Sequence, residues 1–517
     1  MEEKPAGWIL PVRLETPSLS DNTADADRLI KALETVTGGP VKIGLDILKK
    51  LPQALRDGSF CLKCVCIKAS GICELVEILT PDDFKPAAGL AIDLGTTRVV
   101  MRLVCLESGR TLAESGFDNP QTAVGPDILA RIHYTDTPNG LLKLNRLIIE
   151  GINSEIQAIC TQSGIDTDRV FLATVSGNMT MAHLFCGIPC ANIIREPYIP
   201  AVNTPGAFKA SDLGLCLCDT ARVFIVPGVG SYFGGDLISG AIFAGFGDIE
   251  DVAILVDVGT NAEVLIGNRD WLVACAGAAG PALEGGMSAI GMTAAPGAID
   301  SVTIENGSGN IRIHTIGDGP AAGICGSGMI DLAAQLFLTG MVDIRGRIVP
   351  KACGKHFTES SGIAGVVVVP AEISATGSDL IISQVDLDSL IRSKAAMYTI
   401  LETITDYVGI EFKDISTFFV AGTFGSFIRP ESAIAIGMLP DLPKNRFTVL
   451  GNSSLGGASR MLRSREVLAQ AEKIRGRITY LELNVNQDFM NRFSAAKFLP
   501  HTDPGRFPSI SLVDTIP

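Results

Sequence analysis

The feature that most constrains this chain is a strand–turn segment that occurs twice. Asp93-Leu-Gly-Thr-Thr97 follows the apolar run GLAI, and Asp257-Val-Gly-Thr-Asn261 follows AILV, 164 residues later. Each segment delivers an acid at the end of a buried strand. A glycine then permits a tight turn, and hydroxyl or amide residues follow. Backbone N–H groups exposed by such a turn can cradle phosphate oxygens. The carboxylate can hold Mg²⁺ through its waters, because Mg²⁺ dehydrates reluctantly. One copy is compatible with an ordinary β-turn. Two copies imply a duplicated subdomain with a cleft between its halves.

The texture around the pair agrees. From residue 88 onward apolar strands such as ARVFIVPG and STFFVAG end in glycine-containing turns, with helical stretches between them. This is an α/β layout with ligand-binding loops at strand ends. Before it, residues 1–25 are polar, carry Pro5, Pro11 and Pro17, and read as an extended linker. A helix should follow Asn22 or Thr23 as cap, with Leu29, Ile30, Leu33 and Val36 at helical spacing. A second amphipathic stretch covers Leu45–Leu55, and two strands cover Phe60–Lys68 and Ile72–Leu79. Residues 26–86 thus form a small α+β unit.

Composition excludes several classes. With 47% hydrophobic and 19% charged residues the chain is not disordered. A net charge of −14 argues against nucleic acid and anionic membranes as partners. The longest apolar runs, Trp271–Leu283 and Leu237–Gly247, are too short to span a bilayer, and MEEKPAGW is no signal peptide. The expectation is a cytoplasmic protein. The 13 cysteines read as buried core residues, and the five histidines show no zinc spacing.

Three further elements join the two turns. Asp236 opens a helix rich in small residues, GGDLISGAIFAGF, where it either orients an attacking water or substrate hydroxyl or simply favours the helix dipole. Val420-Ala-Gly-Thr-Phe-Gly-Ser426 ends a strand in a loop suited to close approach by adenine or ribose. Gly451-Asn-Ser-Ser-Leu-Gly-Gly-Ala458 leads into a helix whose small residues imply close packing.

In this order the five elements resemble the phosphate-1, connect-1, phosphate-2, adenosine and connect-2 motifs of the ASKHA superfamily, the two-lobed ATPase fold of actin and hexokinase. A narrower resemblance rests on Asn119-Pro-Gln121 with Gly125, Asp127, Arg131 and Ile132, and on Gly177-Asn178 with Met181-Ala-His183. It rests also on Ala279–Gly285, Gly323–Gly328 and Phe498-Leu-Pro-His-Thr-Asp503. Together these resemble the reductive activators of corrinoid proteins.

The resemblance implies residues 1–25 as linker, 26–86 as a small α+β middle domain, and 87–517 as the ASKHA ATPase domain. Its lobes would meet near 246–250, with a C-terminal extension at 466–517. It implies ATP-dependent return of inactive cob(II)alamin to cob(I)alamin on a partner corrinoid protein in a methyl-transfer system, and a homodimer. Asp93, Asp236 and Asp257 would be catalytic, with Asp93 and Asp257 holding Mg²⁺ via water. Gly95, Thr96, Thr97, Gly259, Thr260, Asn261, Gly326, Ser327, Gly422, Thr423 and Gly425 would hold ATP.

The chain departs from the family in places. Relatives commonly carry an iron–sulfur ferredoxin domain. Here the one cysteine cluster, Cys61-x2-Cys64-x-Cys66-x6-Cys73, matches neither ferredoxin spacing. No iron–sulfur cluster is expected, and electrons would come from a separate ferredoxin-like donor, unless the sequence is a piece of a longer one. Arg98 stands where a small hydroxyl is common, and either contacts phosphate or projects to solvent. Arg429 stands where an acid is usual. Cys325 reads as packing and Ser327 as a helix cap. The loop Cys275–Met292, with Glu284 its one charge, faces either the partner or the phosphate site. Two alternatives remain on the same fold: a small-molecule kinase with Asp236 as general base, and a nucleotide-gated adaptor without catalysis.

Overall fold

The computed structural model describes residues 7–69, 71–259, 262–277, 288–305, 307–422, 429–483 and 489–510. The chain divides into two compact units. One contains residues up to Gly247 together with Ser453–Ile478, and the other contains Asp248–Asn452 with the residues from Thr479 onward. The stretch 466–517, expected as one extension, is therefore shared between the two.

The first unit begins with a four-stranded sheet. Strands β1 (Ile9–Arg13), β2 (Val41–Ile43), β3 (Cys61–Ala69) and β4 (Ile72–Leu79) take the order β1-β3-β4-β2. Strand β1 lies inside the segment read as linker. Its alternating burial supplies Leu10 and Val12 to the core. Helices α1 (Asp25–Thr37) and α2 (Leu45–Asp57) bury Leu29, Leu33, Ile47, Leu51 and Leu55 at helical spacing. The residue capping α1 is Ala24, not Asn22 or Thr23. The Thr23 hydroxyl is engaged upstream, donating to Asp21 Oδ1 at 2.7 Å. Cys64, Cys66 and Cys73 belong to this core. Burial pushes the Cys64 thiol up to about 12, so it packs as a small hydrophobe.

A six-stranded sheet follows: β5 (Ala88–Leu94), β6 (Arg98–Cys105), β7 (Thr111–Asp118), β8 (Val170–Ser176), β9 (Gly206–Lys209) and β10 (Arg222–Ile225), in the order β7-β6-β5-β8-β10-β9. Helices α3 (Ile128–Thr135), α4 (Gly140–Ser163), α5 (Met179–Cys186) and α6 (Gly235–Ala244) complete this part before the chain leaves the unit. The small N-terminal sheet is tied to the larger one by ion pairs. Arg222 donates to Glu74 through Nη2 at 2.5 Å, and Arg169 to Asp83 at 2.8 Å.

The second unit repeats the pattern. Strands β11 (Ala253–Val258), β12 (Ala262–Gly267) and β13 (Leu272–Gly277) form an antiparallel meander. A later strand β14 (Ala298–Ile304) packs in a small separate sheet. Helices α7 (Gly326–Leu338) and α8 (Gln384–Val408) precede β15 (Thr417–Ala421), α9 (Pro430–Ala435) and β16 (Phe447–Gly451). The large sheet reads β16-β15-β11-β12-β13, with Ile478–Tyr480 on its edge. In both sheets a three-strand meander is extended by two parallel strands from its first strand. The duplication expected from the two turns is thus a duplication of topology.

The chain returns to the first unit with α10 (Ser453–Arg463) and α11 (Arg465–Arg477). Helix α10 packs closely on α6. A Cβ on Gly457 would sit 2.0 Å from the Ser239 carbonyl oxygen, so only glycine fits. Arg460 Nη1 donates to the carbonyls of Ile242 and Phe243, closing the C-terminal end of α6. The small residues of both segments therefore do what their composition implied.

In the second unit Lys394 of α8 is fully buried. It donates to the carbonyls of Phe498 and Pro500, the latter at 2.7 Å. Burial holds its pKa well below the usual lysine value. The unfolded chain binds that proton more tightly, so stability rises with pH from the folded-state pKa up to about 10.4. As pH rises toward about 10.4, urea denaturation should show the wild type gaining on Lys394→Met by up to about 1.4 kcal/mol per pH unit. A constant difference across that range would contradict a depressed Lys394.

Candidate functional site

Strand β5 is buried throughout except at Asp93, and β11 is buried throughout except at Asp257. Each sheet carries one part-exposed acid at the end of its central strand. Hydrophobic burial of the neighbours fixes where that acid emerges.

Around Asp93 the hydroxyl groups form a chain. Ser454, near the start of α10, places its Oγ 2.7 Å from Asp93 Oδ1 and 3.0 Å from Ser176 Oγ. Ser176 Oγ lies 2.8 Å from Ser239 Oγ on α6. An ionised carboxylate only accepts, and each hydroxyl has one hydrogen. Ser454 therefore donates to Asp93, and Ser176 donates onward to Ser239. Three separate segments are thereby registered on one acid.

The turn after Asp93 is anchored by its carbonyls. Asn119 Nδ2 donates to Gly95 O at 2.9 Å, and Arg131 Nη2 donates to Thr96 O at 2.6 Å. The backbone N–H of Asn119 donates to Thr97 O at 2.7 Å. A trans peptide points its C=O and N–H in opposite directions. Fixing the Gly95 and Thr96 carbonyls inward turns the N–H groups of Thr96 and Thr97 outward, the arrangement an anion needs. The Thr96 hydroxyl accepts from Asn178 Nδ2 at 3.1 Å, while Asn178 Oδ1 caps α5.

Asp236 lies in the first turn of α6 and accepts from the Leu237 N–H at 2.9 Å. It is one helical turn before Ser239, so α6 carries both the end of the hydroxyl chain and this acid. Arg98 resolves toward its neighbouring strand. It pairs with Asp118 at 3.0 Å and donates to Gly116 O.

In the second unit, Gly422 at the end of β15 has a φ of 89°, and a Cβ there would meet Asp257 Oδ1 at 2.5 Å. The adenosine-type loop therefore begins directly against the second acid. Gly259 follows β11. Thr260, Asn261, Thr423 and Gly425 lie outside the described residues, as do residues 278–287 of the glycine-rich loop with Glu284. Gly326 and Ser327 form the start of α7. The expected cap at Ser327 is replaced: the N-cap residue is Cys325, without a side-chain cap, and Ser327 lies inside the helix. Cys325 is buried, 3.2 Å from Ser327 Oγ.

Arg429 also has a place. It precedes α9 and pairs with the buried Asp331 of α7 at 3.6 Å. Asp331 accepts from Ser432 Oγ at 2.5 Å and Val302 N–H at 2.7 Å. The acid expected near position 429 is thus met by an arginine that borrows its carboxylate from α7.

Sequence reasoning assigned no role to Ser454, Ser176, Ser239, Asn119, Arg131 or Asn178. Asn119, Arg131 and Asn178 stood in segments already singled out, so the signal existed without a mechanism. Ser176 and Ser239 gave none, being single serines whose partners are distant in sequence.

The chain matches the RACo family models along its length. These are the RACo linker region over residues 1–84, the middle region over 88–248, and the C-terminal ASKHA domain over 251–511. It is 31% identical over 417 residues to the corrinoid activation enzyme RamQ of Eubacterium limosum, covering 79% of this chain and 70% of that one. The chain belongs to the RACo family. This is the ASKHA-type family of reductive activators, and the protein is an enzyme. In the family's division the small α+β unit falls in the linker region, and the middle region corresponds to residues 88–248. A second relative is the [Co(II) methylated amine-specific corrinoid protein] reductase of Methanosarcina barkeri. It is 23% identical over 436 residues, covering 78% of this chain and 75% of the relative. A solved structure, a reductive activator for corrinoid,iron-sulfur protein, is 37% identical with a TM-score of 0.88. It covers 99% of this chain and 81% of that chain. Among the described residues no helix is long and apolar enough to cross a membrane.

The hydroxyl chain makes a stability prediction. Ser454→Ala removes a donor to a carboxylate and should cost about 1.5–3 kcal/mol, whereas Ser239→Ala at the neutral end should cost about 0.5–1.5 kcal/mol. Denaturant titration of both variants decides it, and the reverse order would contradict the donation of Ser454 to the Asp93 carboxylate.

Proposed function

We propose that this enzyme is an ATP-hydrolysing activator that returns the cob(II)alamin of a partner corrinoid protein to cob(I)alamin within a methyl-transfer system. The observation that carries the reading is the near full-length likeness to a solved reductive activator of a corrinoid protein. The two acid–glycine–hydroxyl turns support the nucleotide part.

The reduction adds one electron to cobalt, and cob(I) is a strong reductant. Every ~59 mV by which the donor falls short costs about 1.4 kcal/mol. Hydrolysis of ATP to ADP and phosphate is the natural source of that free energy. We assign phosphate binding to the outward N–H groups of Thr96 and Thr97 and to the turn at Gly259, Thr260 and Asn261. Gly326, Ser327, Gly422, Thr423 and Gly425 are assigned to the rest of the nucleotide. Asp236 is assigned to orienting the attacking water.

The acids Asp93 and Asp257 suit a hard cation. Asp93 is a carboxylate steadied by a serine hydroxyl, and carboxylate oxygen is the donor chemistry of Mg²⁺. When bound, Mg²⁺ would neutralise phosphate charge. The role of this chain's residues is to hold the carboxylates in place, through Ser454 for Asp93 and through the Gly422 approach for Asp257.

We assign the electrons to a separate ferredoxin-like donor. The four clustered cysteines support this. They lie on β3 and β4, and Cys64, Cys66 and Cys73 are core residues of that unit.

The deciding experiment is optical. The protein is mixed with a cob(II) corrinoid protein, MgATP and a low-potential donor, and the cob(I) absorption is followed. It should appear only with ATP, and ATP turnover should rise with the corrinoid protein and not with sugar or acid substrates. Asp93→Asn and Asp257→Asn should each cut turnover about a hundredfold or more while the protein stays folded. Wild-type turnover in either folded variant would refute the phosphate-site assignment. Turnover stimulated by a sugar instead would make the protein a kinase.

A further inference from the structure

Arg131 is buried as few arginines are. Its relative exposure is 0%, yet among the described residues no carboxylate forms an ion pair with it. Every contact is to a neutral acceptor. Nε donates to Gly125 O at 2.8 Å, Nη1 to Gln121 Oε1 at 3.1 Å and to the Met181 sulfur at 3.2 Å, and Nη2 to Thr96 O at 2.6 Å. Asp127, the acid that acts on it electrostatically, is itself exposed and caps α3 through the Ala130 N–H.

The group nevertheless keeps its charge. Burial lowers its pKa only to about 10, so at neutral pH the guanidinium is protonated. A whole positive charge thus sits in a low-dielectric interior with no anion beside it. Buried charges are normally paired, and the missing partner calls for an explanation.

The direction of Nη2 provides one. Its acceptor is the carbonyl of Thr96, whose peptide N–H belongs to Thr97 and points the opposite way. A charged donor on a carbonyl polarises that peptide and strengthens its N–H as a donor, because linked hydrogen bonds reinforce one another. The cation therefore acts on whatever meets the Thr97 N–H. Its supports are rigid. Gln121 is itself buried and donates to Leu144 O at 2.9 Å, and Asn119 holds the neighbouring Gly95 carbonyl.

We propose that Arg131 is a positioning residue for the nucleotide phosphates: a buried cation that sets the Gly95–Thr97 turn through the Thr96 carbonyl and whose missing counter-charge is the bound phosphate. The inference rests on the nucleotide reading above. It gives a physical role to the Asn119–Gln121 and Gly125–Arg131 segments, which the fold alone does not require. It also makes a specific demand: the benefit of Arg131 must grow with the charge of the ligand.

The test measures affinities of ATP, ADP and adenosine, with Mg²⁺ present, for the full chain and for Arg131→Gln and Arg131→Lys. Melting curves confirm folding. In Arg131→Gln, ATP affinity should fall roughly ten- to a hundredfold. ADP should lose less, and adenosine should be unchanged. Arg131→Lys keeps the charge without the fork and should recover part of the ATP preference. An equal loss for all three ligands, or unchanged ATP binding in folded Arg131→Gln, overturns the proposal. If the variants do not fold, the Arg131 Nε–H resonance of the wild type decides. It should move with ATP and stay put with adenosine, and no movement with ATP overturns the proposal. A wild type that binds no ATP refutes the nucleotide reading instead.

Discussion

The anchoring of three consecutive carbonyls, those of Gly95, Thr96 and Thr97, is the constraint on which the first half-site depends. A glycine–hydroxyl turn can adopt many conformations, and most do not present N–H groups outward. Here Asn119 and Arg131 capture the carbonyls from below. The turn's polarity is thus decided by residues from β7's end and α3, not by the turn itself. The Asp93 carboxylate is fixed separately, by Ser454 arriving from α10.

The two units share topology but not their devices. Both sheets put an acid in the one part-exposed position of a buried central strand. Beyond that the contacts of the described residues differ. Asp93 is met by a serine chain, and Asp257 by the backbone of Gly422. Duplication preserved the strand order, which hydrophobic burial enforces, and left polar contacts free to differ.

That distinction explains what was legible in the sequence. Buried strands and amphipathic helices announce themselves through local pattern, so α1, α2, β3 and β4 were readable to within a residue or two. The duplicated acids were readable because each ends such a strand. Partners distant in the chain were not. Ile9–Arg13 looks like linker until β3 pairs with it. Arg98 was ambiguous until β7 placed Asp118 beside it. Ser327 looked like a cap because hydroxyl residues usually are, yet the N-cap lies two residues earlier, at Cys325. The Ser454–Asp93 bond spans 361 positions, and no local rule reaches that far.

That same separation governs how the chain is made. The first unit is discontinuous: it breaks off at Gly247 and resumes at Ser453. Trp8 Nε1 donates to Leu462 O at 2.7 Å, and Thr174 Oγ1 to Ala458 O at 2.9 Å. During synthesis at about 5–20 residues per second, the faces that α10 covers wait roughly 10–40 s for the intervening unit to emerge. Until then Trp8 and the Gly89 side of the sheet have no cover, and Asp93 lacks its serine. The first lobe is begun first but closed only after Asp248–Asn452 has been translated, so the acid of its phosphate turn gains its serine late.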